Sequence, residues 1–310
     1  MTLTYDSEAA NARTSFGSLM KHKGEVRKVF YDTLKDLPDI FPNFCSVQNT
    51  LTQYEIENVI GGRPKWTVMS TEGEEYTFGD YAQGTEITYT PLTYRDGYDV
   101  TEEMMEDNQH KQIMSQAKEM AKGGKSIAEE IATDVLDNGF TAGTGADGSY
   151  LYASAHNLIN SGDTGDNAET VALDSDGLEA IQLLADGMVD ETGQYVREVY
   201  DTLVVPIQLR REAEEIVGSD KTPENANNAT NTYKGRYRVI VNQYLASTTA
   251  YYVCASSNGA ENKPRFFWRV PPKFKMGYDV YSDNTLFKAR ERFVAGFTSY
   301  QHTVASTGVA

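Results

Sequence analysis

No proline occurs between Asp99 and Asn138, and apolar residues recur, mostly three or four apart, at Ile113, Ala117, Met120, Ile127, Ile131 and Val135. That spacing predicts one long amphipathic helix, roughly 39 residues and ~58 Å long at 1.5 Å per residue if unbroken. Asp99 is placed to cap its first N–H groups. Glu102 sits three residues on, and Glu103 and Glu106 suit the positive end of the helix dipole. Gly123-Gly124 predicts a kink or break, since each glycine costs ~1 kcal/mol against alanine in a helix interior. Asn138-Gly139 supplies the stop. The rest of the chain has to be arranged around this element.

Residues 46–98, just before it, carry strand patterning. Tyr54, Ile56 and Val59 begin the run, and Ile87, Tyr89 and Tyr94 end it. Between them lie Gly61-Gly62-Arg63-Pro64 and TEGEEYTFGDYAQG, rich in Gly, Glu and Tyr and poor in aliphatics. Two long strands with such a centre predict a β-hairpin whose tip cannot bury itself. A lone hairpin is marginal in water, so this one persists only against something else. Residues 1–45 read as an arm: a helix over Arg13 to Thr33, then Leu37-Pro38-Asp39-Ile40-Phe41-Pro42, where two prolines favour an extended run.

After the long helix, residues 140–175 are loop-rich. A short helix bears Leu178, Ile181, Leu184 and Met188 on one face. Thr202-Leu203-Val204-Val205-Pro206 reads as a buried strand, and a second amphipathic helix covers 207–217. Residues 219–235 are Asn/Thr-rich loop. Strands are predicted at 237–242, 251–255, 266–270, 275–281 and 286–300. The fold class is α+β.

The chain carries a formal net charge of −17. That argues against a general nucleic-acid binder and against docking on anionic membranes. Copies of such a chain repel one another at long range, so any assembly rests on close contacts and is helped by salt. No apolar run approaches the ~20 residues of a membrane helix. Cys45 and Cys254 form no CxxC pair and read as two buried, reduced thiols.

Each candidate for chemistry meets a plainer reading. Gly143-Thr144-Gly145-Ala146-Asp147-Gly148 matches G-x-G-x-x-G, but a helix precedes it and a strand-like Ser149-Tyr150-Leu151-Tyr152 follows. A dinucleotide site needs the reverse order, so turn chemistry is expected. Ser154 and His156 lie two apart, which seldom gives nucleophile–base geometry, so a structural histidine is expected. His22, His110 and His302 are dispersed, without metal-ligand spacing. Asp99, Glu102, Glu103, Glu106 and Asp107 read as dipole complementation, with a divalent-cation site or a neighbour's basic patch as the lesser reading. Asp174-Ser175-Asp176-Gly177 reads as a helix cap. Asp163 and Asp166 are weak calcium candidates. No catalytic, cofactor or metal site is assigned, and an enzyme is not expected.

Five strings in order carry a family resemblance: DVTEEMMEDNQHKQI, ADGSYLYASAHNLINSG, DTLVVPIQLRREAEEIVGS, YRVIVNQYLAS and ARERFVAGFTSYQHTVASTG. They resemble the major head subunits of Mu-like phages over about residues 95–310. The element order is similar to the capsid fold of tailed phages first seen in the Hong Kong phage. The family's frequent Phe before Ser…His is Tyr152 here, and its Trp-Phe pair is Tyr251-Tyr252. The resemblance implies an N-terminal arm (1–45), an extended hairpin loop (46–98), a spine helix of the peripheral domain (99–140), an axial domain (141–265) and C-terminal strands completing the peripheral domain (266–310).

It further implies a structural protein without an active site or cofactor. Such a subunit self-assembles into hexamers and pentamers of an icosahedral head around double-stranded DNA, bound without sequence specificity. A separate scaffolding protein and a portal are implied partners, with room for a decoration protein. Assembly is expected in the bacterial host cytoplasm and residence in the virion. Loops 140–170 and 219–235 are expected near local symmetry axes, and Lys21, Lys23, Arg27 and Lys28 could form a locally basic inner face. The alternatives are an encapsulin-like nanocompartment shell, a tail or receptor-binding module, and a hydrolase built on Ser154 and His156.

Overall fold

The computed structural model describes residues 24–60, 66, 68, 70–73, 75, 83–101, 103–104, 110–158, 164–196, 198–221, 230–255, 263–282 and 284–308. In chain order the helix α1 covers residues 24–36. Strands β1 (Ser46–Asn49), β2 (Glu55–Glu57), β3 (Ile87–Tyr89) and β4 (Leu92–Val100) precede the long helix α2 (His110–Asp137). The short strands β5 (His156–Asn157), β6 (Thr164–Gly165) and β7 (Ala168–Glu169) lead to α3 (Ser175–Asp186) and β8 (Tyr200–Val205). Then come α4 (Arg210–Gly218), β9 (Arg238–Val241), β10 (Tyr251–Ala255), β11 (Arg265–Tyr278), β12 (Thr285–Gly296) and β13 (Thr303–Ser306).

The chain divides into two units, each assembled from separated segments. The first comprises the described residues up to Asp39, Pro91–Ala128 and Trp268–Phe293. Its core joins Val26 and Phe30 of α1, Ile113, Ala117, Met120 and Ala121 of α2, and Val100, Phe274 and Phe287 of the sheet. Strand β12 pairs antiparallel with β4 over nine residues, from Thr285↔Val100 to Phe293↔Leu92. Alternation along β12 then turns Phe287, Glu291 and Phe293 inward and leaves Lys288 and Arg290 exposed. Aromatic pairs lock the layer: Tyr98 stacks on Phe287 at 4.9 Å and Tyr94 on Phe293 at 4.5 Å.

The second unit comprises Ile40–Thr90, Glu129–Phe267 and Val294–Ala310. Its five-stranded sheet runs β7-β13-β10-β8-β9. Strand β10 is buried along its whole length, which explains the unbroken apolar run Tyr251-Tyr252-Val253-Cys254-Ala255. β8 and β9 pair in parallel, with α4 in the connection packed on β9, while α3 lies against β13. Asp174 caps α3 as expected, accepting from the Gly177 N–H at 2.6 Å. A Cβ at Gly177 would fall 2.0 Å from the Ala172 carbonyl oxygen, so only glycine fits there.

Four expectations are corrected. Asp99 does not cap a helix: it lies in β4 opposite Leu286, and its carboxylate accepts from Asn284 at 3.0 Å. The ladder with β12 runs through Val100 and outcompetes the cap; next to it the Thr101 hydroxyl accepts from the Met104 N–H at 3.3 Å. Gly123-Gly124 does not break α2, which is continuous through both residues. Beyond the glycines the buried seam moves to Ala128, Ala132 and Leu136, leaving Ile127, Ile131 and Val135 half-buried.

The strands predicted at 266–270 and 275–281 are one strand, because β11 runs through Pro271-Pro272. The neighbour β1 has only four residues and meets β11 at Pro264, so it cannot flank the prolines. The missing N–H groups therefore interrupt no ladder on that side. The strand predicted at 286–300 stops at Gly296, and a separate strand, β13, inserts into the other sheet.

Candidate functional site

Two constructions in the second unit bear on function: the hairpin with its root, and a buried polar knot in the 140–170 region. In the hairpin, Glu55–Glu57 pairs antiparallel with Ile87–Tyr89, and Ile60 bridges Gln83 further out. The expectation of two long strands thus reduces, among the described residues, to three-residue ladders and a bridge. Most of 63–79, the tip, lies outside the described residues. Along the hairpin Ile60, Trp66 and Val68 are 62%, 95% and 88% exposed, so large apolar side chains stand in water.

The root is held by polar groups. The buried Arg265 Nε donates to Glu57 Oε2 at 2.7 Å, and Thr298 Oγ1 donates to the same oxygen at 2.9 Å. The Tyr89 hydroxyl lies 2.6 Å from Thr298 Oγ1, so both hairpin strands meet one network. Burial, with Glu57 adding to it, pushes the Tyr89 phenol well above its ordinary value. Tyr89 packs against Phe267 at 5.3 Å, and a Cβ on Gly296 would come within 2.7 Å of the Tyr89 ring. Glycine at 296 is thus what lets β12 pass the hairpin root.

The polar knot centres on His156, which is fully buried. Its Nδ1 lies 2.6 Å from Asp147 Oδ2 and its Nε2 2.9 Å from Asn167 Oδ1. The Asn167 amide is oriented by donating to the Leu151 and Thr303 carbonyls at 2.8 and 3.1 Å, so its oxygen faces the ring. The imidazole stacks on Tyr300 with centroids 3.7 Å apart. Burial pushes the Asp147 carboxyl up, but bonds from His156 and Ser149 outweigh it and hold the group below its ordinary value.

Both ring nitrogens therefore face fixed oxygen atoms, and neither is presented to a substrate. Ser154 is exposed while His156 is buried, so the two do not converge. The G-x-G-x-x-G match is a turn: Gly148 N–H donates to the Gly145 carbonyl at 3.0 Å, and Gly143 and Gly148 take φ of +80° and +82°. No cluster of His, Cys, Asp or Glu that could hold a metal occurs among the described residues. Asp166 accepts from the Ala168 N–H at 3.0 Å, while Asp163, Glu102, Glu106 and Asp107 lie outside the described residues, as do Lys21 and Lys23.

Both thiols are buried and free, and burial pushes Cys254 up to about 11. No described helix is long and apolar enough to cross a membrane. Sequence reasoning missed the root network, whose members Glu57, Tyr89, Arg265 and Thr298 are spread over more than two hundred positions. It also missed Glu129, buried in α2, whose carboxylate accepts from the Ile40 and Phe41 N–H groups at 2.5 and 3.1 Å.

The phage capsid protein family model matches residues 84–306. No curated protein matches this sequence. Among solved structures, the capsid of bacteriophage JBD30 decorated with minor capsid protein trimers is similar at TM-score 0.55 and 15% identity. That match covers 67% of this chain and 91% of the other. The capsid of cyanophage P-SCSP1u is similar at TM-score 0.59 and 11% identity, covering 88% of each chain. A virus-like particle from Pyrococcus furiosus is similar at TM-score 0.56 and 10% identity, covering 91% of this chain and 98% of the other. At these identities the likeness is one of fold. With its α+β architecture and a family match over more than half its length, the chain belongs to the phage capsid protein family.

Proposed function

We propose that this chain is the major capsid subunit of a tailed phage, building hexamers and pentamers of an icosahedral head that encloses double-stranded DNA. The observation that carries this reading is the hairpin: rooted by a buried network, yet bearing Ile60, Trp66 and Val68 in solvent. A surface of that kind needs a partner, and another copy of the chain supplies one repeatedly. Within this reading the chain is a Mu-like head subunit. Residues 1–45 form the arm, 46–98 the extended loop, 99–140 the spine, 141–265 the axial domain and 266–310 the closing strands.

A separate scaffolding protein, a portal and an optional decoration protein complete the assembly, which takes place in the host cytoplasm. The net charge of −17 supports a wall along which DNA slides rather than sticks. Negative-stain microscopy of the expressed protein, with and without its scaffolding protein, tests the proposal. Closed polyhedral shells are expected, and deletion of residues 63–79 should abolish them. Normal shells from the deletion variant would refute the role of the hairpin, and no shells under any condition would refute the whole reading. The likeness to the Pyrococcus particle favours one second reading, a compartment without a genome. The contents of purified shells, DNA or protein, separate the two.

A further inference from the structure

Glu291 was prominent in the C-terminal string and has no part in the reading above. It lies on the inward face of β12, 4% exposed, and its Oε1 has no hydrogen-bond partner. A buried carboxylate without a partner is costly unless a proton or a cation accompanies it. Beside it, in the first unit, is a cavity of about 300 Å³. The walls are apolar: Phe30 and Leu34 of α1, Met120 and Ile127 of α2, Pro272 of β11 and the ring of Tyr94.

The bare stretch of α2 at Gly123-Gly124 closes the cavity. The two glycines cost the helix about 2 kcal/mol against alanine, yet they do not break it, since α2 is continuous there. Their visible effect is space. A Cβ at Gly124 would stand 3.7 Å from Glu291 Oε2, and one at Gly123 would meet nothing within 4 Å.

The charged groups around Glu291 offset its burial only in part. Lys125 of α2 is paired with Asp39, and its charge lowers the Glu291 carboxyl by less than burial raises it. Arg290 and Arg95 also line the cavity, but they stand opposite each other in the β12–β4 register, one step out of phase with the Glu291↔Tyr94 pair, so their stems leave from the opposite face of the sheet. Asp96 shares the Glu291 face and adds negative charge at the mouth. α1 contributes only apolar side chains to the lining.

From this geometry we propose that the cavity is a binding site for a primary alkylammonium group. Glu291 is the counter-ion, and the apolar walls take the alkyl stem. Among the described residues Glu291 and Asp96 are the only carboxylates of the lining, and Phe30, Met120, Ile127 and Pro272 bring no side-chain oxygen, which leaves the site short of the six or more oxygen ligands a calcium ion takes. At about 30 Å³ per water, the volume equals about ten waters, room for a short unbranched amine. Such a group comes either from a small free amine or from a lysine side chain of another copy.

The test is calorimetric titration of the full chain with n-butylammonium chloride, with tetramethylammonium chloride as the control for ionic strength. Saturable one-to-one binding is expected at pH 8. The apparent affinity should fall about 100-fold at pH 5, two units below the value of about 7 to which burial pushes the carboxyl. Glu291→Gln should lose at least tenfold at pH 8. Gly124→Ala, which suits the helix better, should lose several-fold by narrowing the cavity. No saturable binding at pH 8, or an affinity unchanged in Glu291→Gln, overturns the proposal. If Glu291→Gln does not fold, an affinity unchanged in Gly124→Ala overturns it. Repeating the titration on assembled particles identifies the source: binding retained there points to a free amine, and binding lost there to a lysine of another copy.

Discussion

Truncating Glu57 isolates what the hairpin root contributes. In Glu57→Ala, Arg265 and Thr298 each lose an acceptor, at 2.7 and 2.9 Å. The ion pair is largely out of solvent, with side-chain exposures of 10% for Arg265 and 21% for Glu57. Removing one partner of a buried pair costs roughly 3–5 kcal/mol. The residual exposure of Glu57 argues for the lower end, about 3 kcal/mol. Against a total stability of roughly 5–15 kcal/mol that is a large fraction. Urea unfolding of the dissociated subunit, followed by circular dichroism, reads it as a lower midpoint at unchanged slope. Raising NaCl from 0.1 to 1 M should change the difference little, because buried pairs escape screening. The double variant Glu57→Leu/Arg265→Met should recover most of the loss, since no charge is then left buried. A loss under about 1 kcal/mol, or one that salt removes, would show that the root is a surface ion pair and that packing alone holds the hairpin.

Three further outcomes are expected. Gly296→Ala should lower the melting temperature by several degrees, because its Cβ would stand 2.7 Å from the Tyr89 ring and overpacking costs about 1–3 kcal/mol; an unchanged melt would contradict the close approach. The carboxyl of Asp147 is held below its ordinary value in the fold. Its contribution is therefore complete above the unfolded value and lost as pH falls through the lower folded one; a circular-dichroism titration from pH 6 to 2 should show that component vanish in Asp147→Asn. Glu291 has the opposite sign: burial raises its carboxyl to about 7. Its protonated form contributes stability that is full below the unfolded value and lost as pH rises through about 7. The wild type should thus weaken by on the order of 2–3 kcal/mol from pH 5 to 8 relative to Glu291→Gln, and parallel pH profiles would refute this.

Much of the fold was legible because local pattern and tertiary demand agreed. The 3.6-residue spacing in α2 and α3 and the fully apolar run of β10 mark elements whose buried faces are continuous in sequence. Asp174 was readable as a cap because capping is settled within three residues. Asp99 failed as a cap because its fate depends on β12, almost two hundred residues away. β11 was read as two strands because whether a strand can run through Pro271-Pro272 depends on what flanks it in the sheet, which local pattern does not show. The same holds at the sites. Asp147 and His156 are nine positions apart, and their pairing was within reach of sequence reasoning. The Glu57–Arg265 root and the burial of Glu291 arise only when distant strands pair, which no local pattern announces.

The interleaving of the two units sets a schedule for when the subunit can exist at all. In the sheet of the second unit, β13 sits between β7 and β10, so before residues 303–306 emerge β10 has one side unfilled at Tyr252 and Val253. The first unit waits as well, since β11 and β12 bring it Phe274 and Phe287. At 5–20 residues per second, the roughly 170 residues between α2 and β13 take about 8 to 35 seconds to make. Throughout that time the nascent chain lacks both finished cores. A ribosome-bound or prematurely released chain therefore has neither core closed and presents no finished surface to any partner.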